Sequence, residues 1–280
     1  MSLEKQRFVL GIGAPRCGTT WAYQNLREAS ELYLPPVKEL RYFHGKRSEG
    51  ERDTAIRKLG ERSDLDGRDQ AFVKRWTDLE DGNLELYHEM FPKEGPVGEV
   101  SPIYSIMAPK HIQSVKMVME RFDPKVFYFM RNPLERDKSH IIFSLHRQAK
   151  RADVRPLEDY MSFVDKKAFR QRSAYLRNVR NWRKAFSTDL HLYYYDDLAR
   201  SPRRFFKRFC SELELDYDVE KVEKKPANKS GATSRYKIAI PPEVLAHLRE
   251  RHLKAVPRWK FLPKRISAAW MEALEGADIG

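Results

Sequence analysis

Arg16 lies in a glycine-rich segment whose composition suits the binding of a phosphate group. Gly13 and Gly18 bound this segment with four residues between them, and the apolar residues 8–10 precede it. The pattern predicts a strand, a tight loop and a helix that begins near Thr19. Backbone N–H groups in such a loop, together with the helix dipole, favour a bound anion. The alternative is a plain turn between a strand and a helix.

The two glycines have the spacing of a Walker A loop, but the lysine of that motif is missing. A Walker A lysine directly follows the second glycine and contacts the β- and γ-phosphates of a nucleoside triphosphate. Thr19 occupies this position here, and Arg16 is the cation inside the loop. We therefore predict a loop that binds a phosphate but is not built for Mg-ATP.

Arg131 is a second candidate for phosphate binding, because it follows the clearest strand in the sequence. Residues 126–130 are continuously apolar, aromatic or β-branched, as in a buried strand. Pro133 suits the first turn of a following helix. In open parallel sheets, ligands bind at the carboxyl ends of the strands. A ligand with phosphates at two positions could therefore bridge Arg131 and the glycine-rich loop.

Strands alternate with helices along the chain, which predicts a parallel sheet covered by helices on both faces. Further strands are predicted at residues 97–100 and 190–195. Residues 49–95 are charged and are predicted as a mainly helical insertion in a single domain, residues 1–280. A long helix should start near residue 133. The other helices are predicted at residues 19–30, 108–121, 166–187, 201–213, 241–254 and 266–275.

The composition fits a folded protein that binds acidic partners. Apolar residues make up 41% of the 280 residues and aromatic residues 12%, which is enough for a core. Lysine and arginine number 53 against 40 aspartate and glutamate residues, which gives a net charge of +13. Such a charge suits a phosphorylated cofactor, an acidic substrate or nucleic acid. The basic residues are spread along the chain, which weakens the nucleic-acid interpretation.

The sequence predicts a soluble, cytoplasmic protein without a metal site. The amino-terminal apolar run is too short for a signal peptide, and no segment approaches the about 20 apolar residues of a membrane span. Cys17 and Cys210 are too few for a disulfide framework and fit a reducing compartment. The pair His140 and His146 lacks the i, i+4 spacing of helical metal ligands.

Five segments resemble, in order, motifs of the sulfotransferase family. Residues 13–21 look like its 5′-phosphosulfate loop, and residues 129–139 resemble its 3′-phosphate element. Residues 194–202 are similar to its Tyr-Glu-Asp-Leu segment and the helix that follows. Residues 38–43 resemble the Lys-Glu-x-x-x-Phe element of the carbohydrate-type branch, and residues 98–104 its Gly-Glu-Lys-x-Pro-x-Tyr element. Each match alone is weak, but the set is specific.

The resemblance implies an α/β fold and a group-transfer activity. The fold would be a three-layer sandwich similar to P-loop NTPases, with a central parallel sheet flanked by helices. The donor would be 3′-phosphoadenosine 5′-phosphosulfate (PAPS), and the product adenosine 3′,5′-bisphosphate (PAP), without a metal. The acceptor would be a hydroxyl, less often an amine, on a small molecule or carbohydrate. Neither nucleic acid nor a membrane would be a partner.

The same resemblance assigns donor-binding roles. Trp21 matches the position that stacks on adenine, with a core tryptophan as the alternative, and Tyr175 resembles a position near the nucleotide. Lys229, Ser230 and Arg235 are the nearest substitutes for the family's arginine-lysine-glycine turn. The phosphosulfate and 3′-phosphate contacts would come from Pro15, Arg16, Cys17, Gly18, Thr19, Thr20, Arg131 and Ser139.

Glu39 is the general base by resemblance to the carbohydrate branch. Lys38 and Arg16 would stabilise the transferring group, since sulfuryl transfer needs charge neutralised at the reacting oxygens and a base for the acceptor proton. His44 and Glu99 are alternative bases. They and Tyr104 are also candidates for acceptor contact.

The chain departs from the family pattern at several of these positions. Arg16 replaces a lysine, Cys17 a serine and Val100 the lysine of the Gly-Glu-Lys element. Arginine keeps the charge of lysine but changes its geometry. Two other functions stay open. A nucleotide-dependent kinase is disfavoured by Thr19, and a basic nucleic-acid-binding protein would show affinity that falls steeply with salt.

Overall fold

The structure is a computed structural model, and its centre is a parallel β-sheet. It describes residues 5–43, 56–57, 59–78, 84, 86–147, 155–222 and 239–276. The strands are β1 (Arg7–Gly13), β2 (Val97–Val100), β3 (Asp123–Met130) and β4 (Leu190–Tyr194). They pair in the order β2-β1-β3-β4, and each pair is parallel. The predicted α/β fold class is therefore confirmed.

The two central strands are apolar on both faces because both faces are buried. Along β3, Phe127 and Phe129 contact Phe209 at ring-centroid distances of 5.1 and 5.4 Å. The neighbouring Tyr128 faces the other side of the sheet, where its ring lies 6.1 Å from Tyr175. Successive strand residues point to opposite faces. Helices therefore cover both sides of the sheet, as expected for parallel strands.

The described helices follow the predicted alternation with the strands. Four of them begin with proline. Proline suits the first helical position because an N–H group there would have no partner within the helix. The helices are α1 (Thr19–Ala29), α2 (Gly67–Asp78), α3 (Pro109–Met119), α4 (Pro133–Ile141), α5 (Leu157–Asp165), α6 (Lys167–Arg172), α7 (Tyr175–Phe186), α8 (Tyr195–Arg200), α9 (Pro202–Glu212), α10 (Pro242–Leu253) and α11 (Lys264–Glu275).

Two of the differences between the predicted and the observed elements lie near the candidate site. The helix predicted at 166–187 is broken into α6 and α7, and the Ser173 hydroxyl at the break donates to Asp137 Oδ1 at 2.7 Å. The strand predicted to end after residue 195 ends at Tyr194, because Tyr195 already starts α8. Asp196 and Asp197 therefore lie in the first turn of a helix, where acidic side chains are favourable.

Within residues 49–95, predicted as a helical insertion, the described part contains α2 and the 3₁₀ turn Tyr87–Met90. The extent of this insertion stays a prediction. None of the helices in the described ranges is long and apolar enough to cross a lipid bilayer.

Candidate active site

The glycine-rich loop joins the carboxyl end of β1 to the amino end of α1. The Ala14 N–H donates to the Phe129 carbonyl at 2.7 Å, so the loop starts alongside β3. Gly18 caps α1 with a φ of 96°, a conformation that favours glycine. A Cβ at this position would lie 2.8 Å from Leu198 Cδ2. Because Gly18 has no side chain to cap α1, the N–H groups of the first turn are available to an anion.

Arg16 links this loop to α4. Its Nε–H donates to Ser139 Oγ at 3.1 Å, and its guanidinium carbon lies 4.6 Å from the centre of the Phe143 ring. Phe143 belongs to a π-helical turn, Ile142–Arg147, that continues α4. The two segments predicted to bind phosphate therefore meet at this hydrogen bond, although 123 residues separate them.

Arg131 follows the last residue of β3. Its guanidinium carbon lies 4.8 Å from the centre of the Tyr195 ring, and Nη2 lies 3.5 Å from Glu135. The side chain is 24% exposed, so a ligand can reach it. Asn132 starts α4 by accepting from the N–H groups of Leu134 and Glu135 at 3.0 and 3.2 Å. The cap holds the Arg131 backbone in a defined orientation at the end of the strand.

Tyr175 contacts both segments that are predicted to bind phosphate. Its hydroxyl donates to the Arg131 carbonyl at 2.9 Å and lies 3.8 Å from Cys17 Sγ. Both side chains are buried. Burial raises the pKa of Cys17 to about 11, so its thiol is neutral at pH 7. Tyr175 therefore supports the two segments from behind, a positioning role that the sequence resemblance did not specify.

Glu39 lies at the carboxyl end of β2, between two cations. Its N–H donates to the Val100 carbonyl at 3.0 Å. Lys38 Nζ lies 3.2 Å from Oε1, and the Arg41 guanidinium contacts Oε2 through Nη2 at 2.9 Å and Nε at 3.3 Å. Burial alone would raise the pKa of Glu39, but the charges of Lys38 and Arg41 outweigh it and lower the pKa from 4.5. The carboxylate is therefore ionised at neutral pH, as a general base must be.

Comparison with known proteins identifies the family. A family profile described as the sulfotransferase family matches residues 9–219, which include most of β1 and all of β2 to β4. The chain belongs to the sulfotransferase family. Comparison with curated protein sequences finds no match.

Solved structures agree with this assignment at the level of the fold. A sulfotransferase from Alicyclobacillus acidocaldarius is 18% identical, with a TM-score of 0.63, over 96% of this chain and all of that one. A sulfotransferase domain from the Synechococcus PCC 7002 olefin synthase gives 18% identity, a TM-score of 0.48, and coverage of 98% and 96%. Mouse SULT7A1, solved with PAP, gives 12% identity and a TM-score of 0.44, over 86% of this chain and 70% of that one. The fold comparison rests on the first of these.

Glu99 of this sulfotransferase is buried, which argues against its predicted roles as base or acceptor contact. The hydroxyls of Tyr87 and Tyr104 donate to Oε1 at 3.0 and 2.9 Å, and that of Ser101 donates to Oε2 at 3.1 Å. Tyr104 is likewise fully buried. Both side chains are thus enclosed in the described structure, where they form hydrogen bonds inside the protein, and a contact of either with the acceptor stays a prediction.

Two of the hydroxyl groups that donate to Glu99, those of Ser101 and Tyr104, also hold the segment that carries Glu39. The Arg41 N–H donates to Ser101 Oγ at 3.1 Å, and the Phe43 N–H donates to Tyr104 Oη at 3.3 Å. Each hydroxyl thus accepts from the backbone and donates to Glu99. The buried carboxylate fixes the direction of both hydroxyls and so positions residues 39–43 of the sulfotransferase.

Trp21 is packed in the interior, as expected for a core tryptophan, which was the alternative to stacking on adenine. Its ring lies 5.9 and 6.0 Å from those of Phe205 and Phe206 on α9, and its exposure is 3%. Stacking on adenine stays a prediction that requires a face of this ring to become accessible. Thr20, by contrast, is exposed at the start of α1, next to the buried Thr19.

Four of the sequence predictions concern residues outside the described ranges. His44 was an alternative base, and the other three were substitutes for the 3′-phosphate turn. The structure does not describe His44, Lys229, Ser230 and Arg235.

A buried polar network behind the site was not foreseen from the sequence. Arg136 and Asp137 form an ion pair, Ser173 Oγ bonds to both, and His252 Nε2 lies 2.9 Å from Asp137 Oδ2. Burial alone would raise the pKa of Asp137, but the Arg136 charge and hydrogen bonds from His252 and Ser173 hold it well below its usual range. The partners come from three separate helical regions, so no local spacing could reveal them.

Proposed function

We propose that this sulfotransferase uses PAPS as donor and transfers the sulfuryl group to a hydroxyl, or less often an amine, of a small molecule or carbohydrate. The observation that carries the proposal is the contact between Arg16 and Ser139. It joins a phosphate-binding loop at the end of β1 to the helix that follows Arg131 at the end of β3. A donor with phosphate groups at two positions fits this arrangement better than one with a single phosphate chain.

The chemistry of the site fits such a donor. The first turn of α1 offers N–H groups and a positive helix end, and the guanidinium groups of Arg16 and Arg131 can form charge-assisted bonds to phosphate oxygens. Thr20 is exposed beside them. When bound, PAPS would supply an activated sulfuryl group, and this chain would orient it through the loop and α4.

Glu39 is the proposed base, and Lys38 and Arg16 the proposed electrostatic partners of the reacting group. Glu39 is ionised and 31% exposed, so it can accept a proton from a hydroxyl. Burial lowers the pKa of Lys38, with Arg16 acting in the same direction and Glu39 opposing it. This coupling supports a single electrostatic unit of Lys38, Glu39 and Arg16 at the adjacent ends of β1 and β2.

Ligand-dependent melting tests the donor. We expect PAP to raise the melting temperature of the wild type, since saturation at a hundredfold excess over Kd adds about 2.7 kcal/mol. Arg131→Gln should lose most of this shift, because it removes a charged partner. Arg121→Gln is the matched control: Arg121 is exposed and precedes β3, at the opposite edge of the sheet.

The same titration distinguishes the alternatives. Stabilisation by Mg-ATP without any response to PAP would contradict the proposal and favour a kinase. Binding of an oligonucleotide that weakens steeply with salt, again without a PAP response, would favour a nucleic-acid-binding protein.

A further inference from the structure

Four of the described cationic side chains lie at or near the carboxylate of Glu39. Lys38 and Arg41 contact the two carboxylate oxygens of Glu39 directly. Arg16 acts to lower the pKa of Lys38. Arg172 ends α6, which packs against the turn Pro102–Ile106 beside residues 39–43, and the charges of Arg41 and Glu39 act on the pKa of Arg172. Among the described side chains, two cations therefore contact this carboxylate and two more lie near it.

Arg172 differs from several other arginines in having no carboxylate partner among the described residues. Arg7, Arg27 and Arg265, which are also partly exposed, each form an ion pair with an aspartate at 2.6 to 2.8 Å. Arg172 at the end of α6 donates from Nη1 to the Ala168 carbonyl at 2.7 Å. Within the described ranges, no carboxylate lies at ion-pair distance from it.

The electrostatic environment of Arg172 agrees with this geometry. Burial, followed by the charges of Arg136 and Arg41, lowers the pKa of Arg172 to about 10, and Glu39 opposes the shift only weakly as the last contribution. A partly buried cation among other cations is costly unless an anion compensates it. Such unbalanced charges are typical of ligand sites rather than of structural ion pairs.

The four cations divide into two groups. Arg16 contacts Ser139 of the proposed 3′-phosphate element, and Lys38 contacts Glu39 Oε1. Both have a task in the proposed donor and sulfuryl chemistry. Arg41 and Arg172 have none, although Arg41 is 43% exposed and lies directly on the proposed base.

We propose that the acceptor of this sulfotransferase is an anionic hydroxyl compound, whose carboxylate, sulfate or phosphate group is bound by Arg41 and Arg172 beside Glu39. The inference rests on the proposed function, because it concerns the acceptor half of the same site. A planar guanidinium pair is well suited to bind a carboxylate or a phosphorus or sulfur oxyanion through two parallel hydrogen bonds.

Binding of the anionic group also changes the base. Arg41 occupies Glu39 Oε2 with two N–H groups. An acceptor anion that draws Arg41 away exposes this oxygen and removes a charge that lowers the pKa of Glu39. Since the strength of a base rises with its pKa, Glu39 becomes a better proton acceptor only when the acceptor is in place.

The proton and electron balance of this step is complete. The acceptor hydroxyl gives its proton to Glu39 Oε2, and its oxygen forms a bond to sulfur. The bond between sulfur and the donor phosphate oxygen breaks, and its electron pair leaves with PAP.

The test compares pairs of acceptors that differ only in charge. Hydroxy acids and uronic-acid sugars are offered beside their carboxamides, and release of PAP from PAPS is measured. We expect the acid to exceed its amide by about tenfold or more in kcat/KM, since a hydrogen bond between charged groups is worth about 1.5–3 kcal/mol. Binding of each pair to the PAP-saturated protein is measured in parallel and should show the same order.

Substitutions assign the preference to the two arginines. Arg172→Gln should reduce the acid-to-amide ratio by about tenfold through KM, and Arg41→Gln should also reduce it, while the melting shift caused by PAP stays unchanged in both variants. Arg121→Gln, at the other edge of the sheet, should leave the ratio unchanged. The inference is overturned if no acid is used or bound better than its amide, or if Arg172→Gln lowers both members of a pair equally. Absence of a PAP shift in the wild type would instead contradict the proposed function.

Discussion

Glu39 connects the electrostatics of the site to its chemistry. Its carboxylate is partly exposed, and its N–H extends the hydrogen bonding of β2. Because Lys38 and Arg41 lower its pKa below 4.5, it is charged throughout the neutral range. Because its pKa is lowered, Glu39 is a weak base in the protein without acceptor. Release of the Arg41 contact would therefore make Glu39 a stronger base.

A pH profile tests the role of Glu39. A lowered pKa means that the carboxylate keeps its charge as the pH falls through 4.5 and is protonated only below that value. The acidic limb of kcat/KM, which reports the free enzyme, should therefore lie below pH 4.5. With an anionic acceptor, the acidic limb of kcat should lie at higher pH, because Arg41 no longer lowers the pKa.

Glu39→Gln is the companion substitution. It should reduce kcat by about 10²- to 10⁴-fold, the usual contribution of a positioned base, while PAP still raises the melting temperature. Full activity in Glu39→Gln would remove Glu39 from this role and leave His44 as the remaining sequence candidate.

At the scale of elements, the end of β2 and the 3₁₀ turn Pro102–Ile106 act as a support for residues 39–43. Glu99 receives three hydroxyl groups in the interior, and two of those hydroxyls accept backbone N–H groups from the supported segment. Burial of a carboxylate is tolerated when its oxygens are all hydrogen-bonded. The arrangement makes the position of Glu39 depend on the buried side chain of Glu99.

Glu99→Gln tests this support. An amide NH₂ in place of one oxygen leaves at least one buried hydroxyl proton without an acceptor, which should destabilise the protein by about 1–3 kcal/mol. We expect a lower kcat with unchanged PAP affinity, since the donor loop is not attached to Glu99. The control is Glu120→Gln, an identical change at an exposed position before β3. Unchanged melting temperature and kcat would contradict the supporting role.

The sequence predicted the elements well where the signal was local. The range 97–100 agrees with β2, and the apolar core of β3 was recognised, since continuous buried strands have a clear pattern. The break between α6 and α7 was not predicted. Ser173 at this break bonds to Arg136 and Asp137, which are 37 and 36 residues away in the chain, and such contacts leave no local pattern.

The candidate site was predictable to a similar extent. Arg16, Ser139 and Arg131 were recognised through motif resemblance, and the structure brings the first two into contact. The burial of Glu99, and the lack of a carboxylate partner for Arg172 among the residues that the structure describes, were not foreseen. Both depend on which side chains surround a residue in three dimensions, and a single sequence does not contain that information.

At the scale of the whole molecule, the carboxyl-terminal helices complete the site from outside the family match. Trp270 on α11 donates to Asp196 at 3.2 Å and receives the Asn132 amide at its carbonyl at 3.4 Å. Arg265 binds Asp197 with two bonds of 2.7 Å. These contacts attach α11 to the segments that follow β3 and β4. Residues 264–275 therefore buttress the Arg131 region, although the family profile ends at residue 219.

The central claim is that two separate elements of the molecule bind two separate phosphates of one donor. The most direct measurement is the affinity for PAP compared with adenosine 5′-monophosphate, which lacks the 3′-phosphate. We expect the wild type and Arg121→Gln to prefer PAP by about 10- to 100-fold, the equivalent of one charged contact. Arg131→Gln should bind both ligands alike. Equal affinity of the wild type for the two nucleotides, or an undiminished preference in Arg131→Gln, would contradict the two-element site.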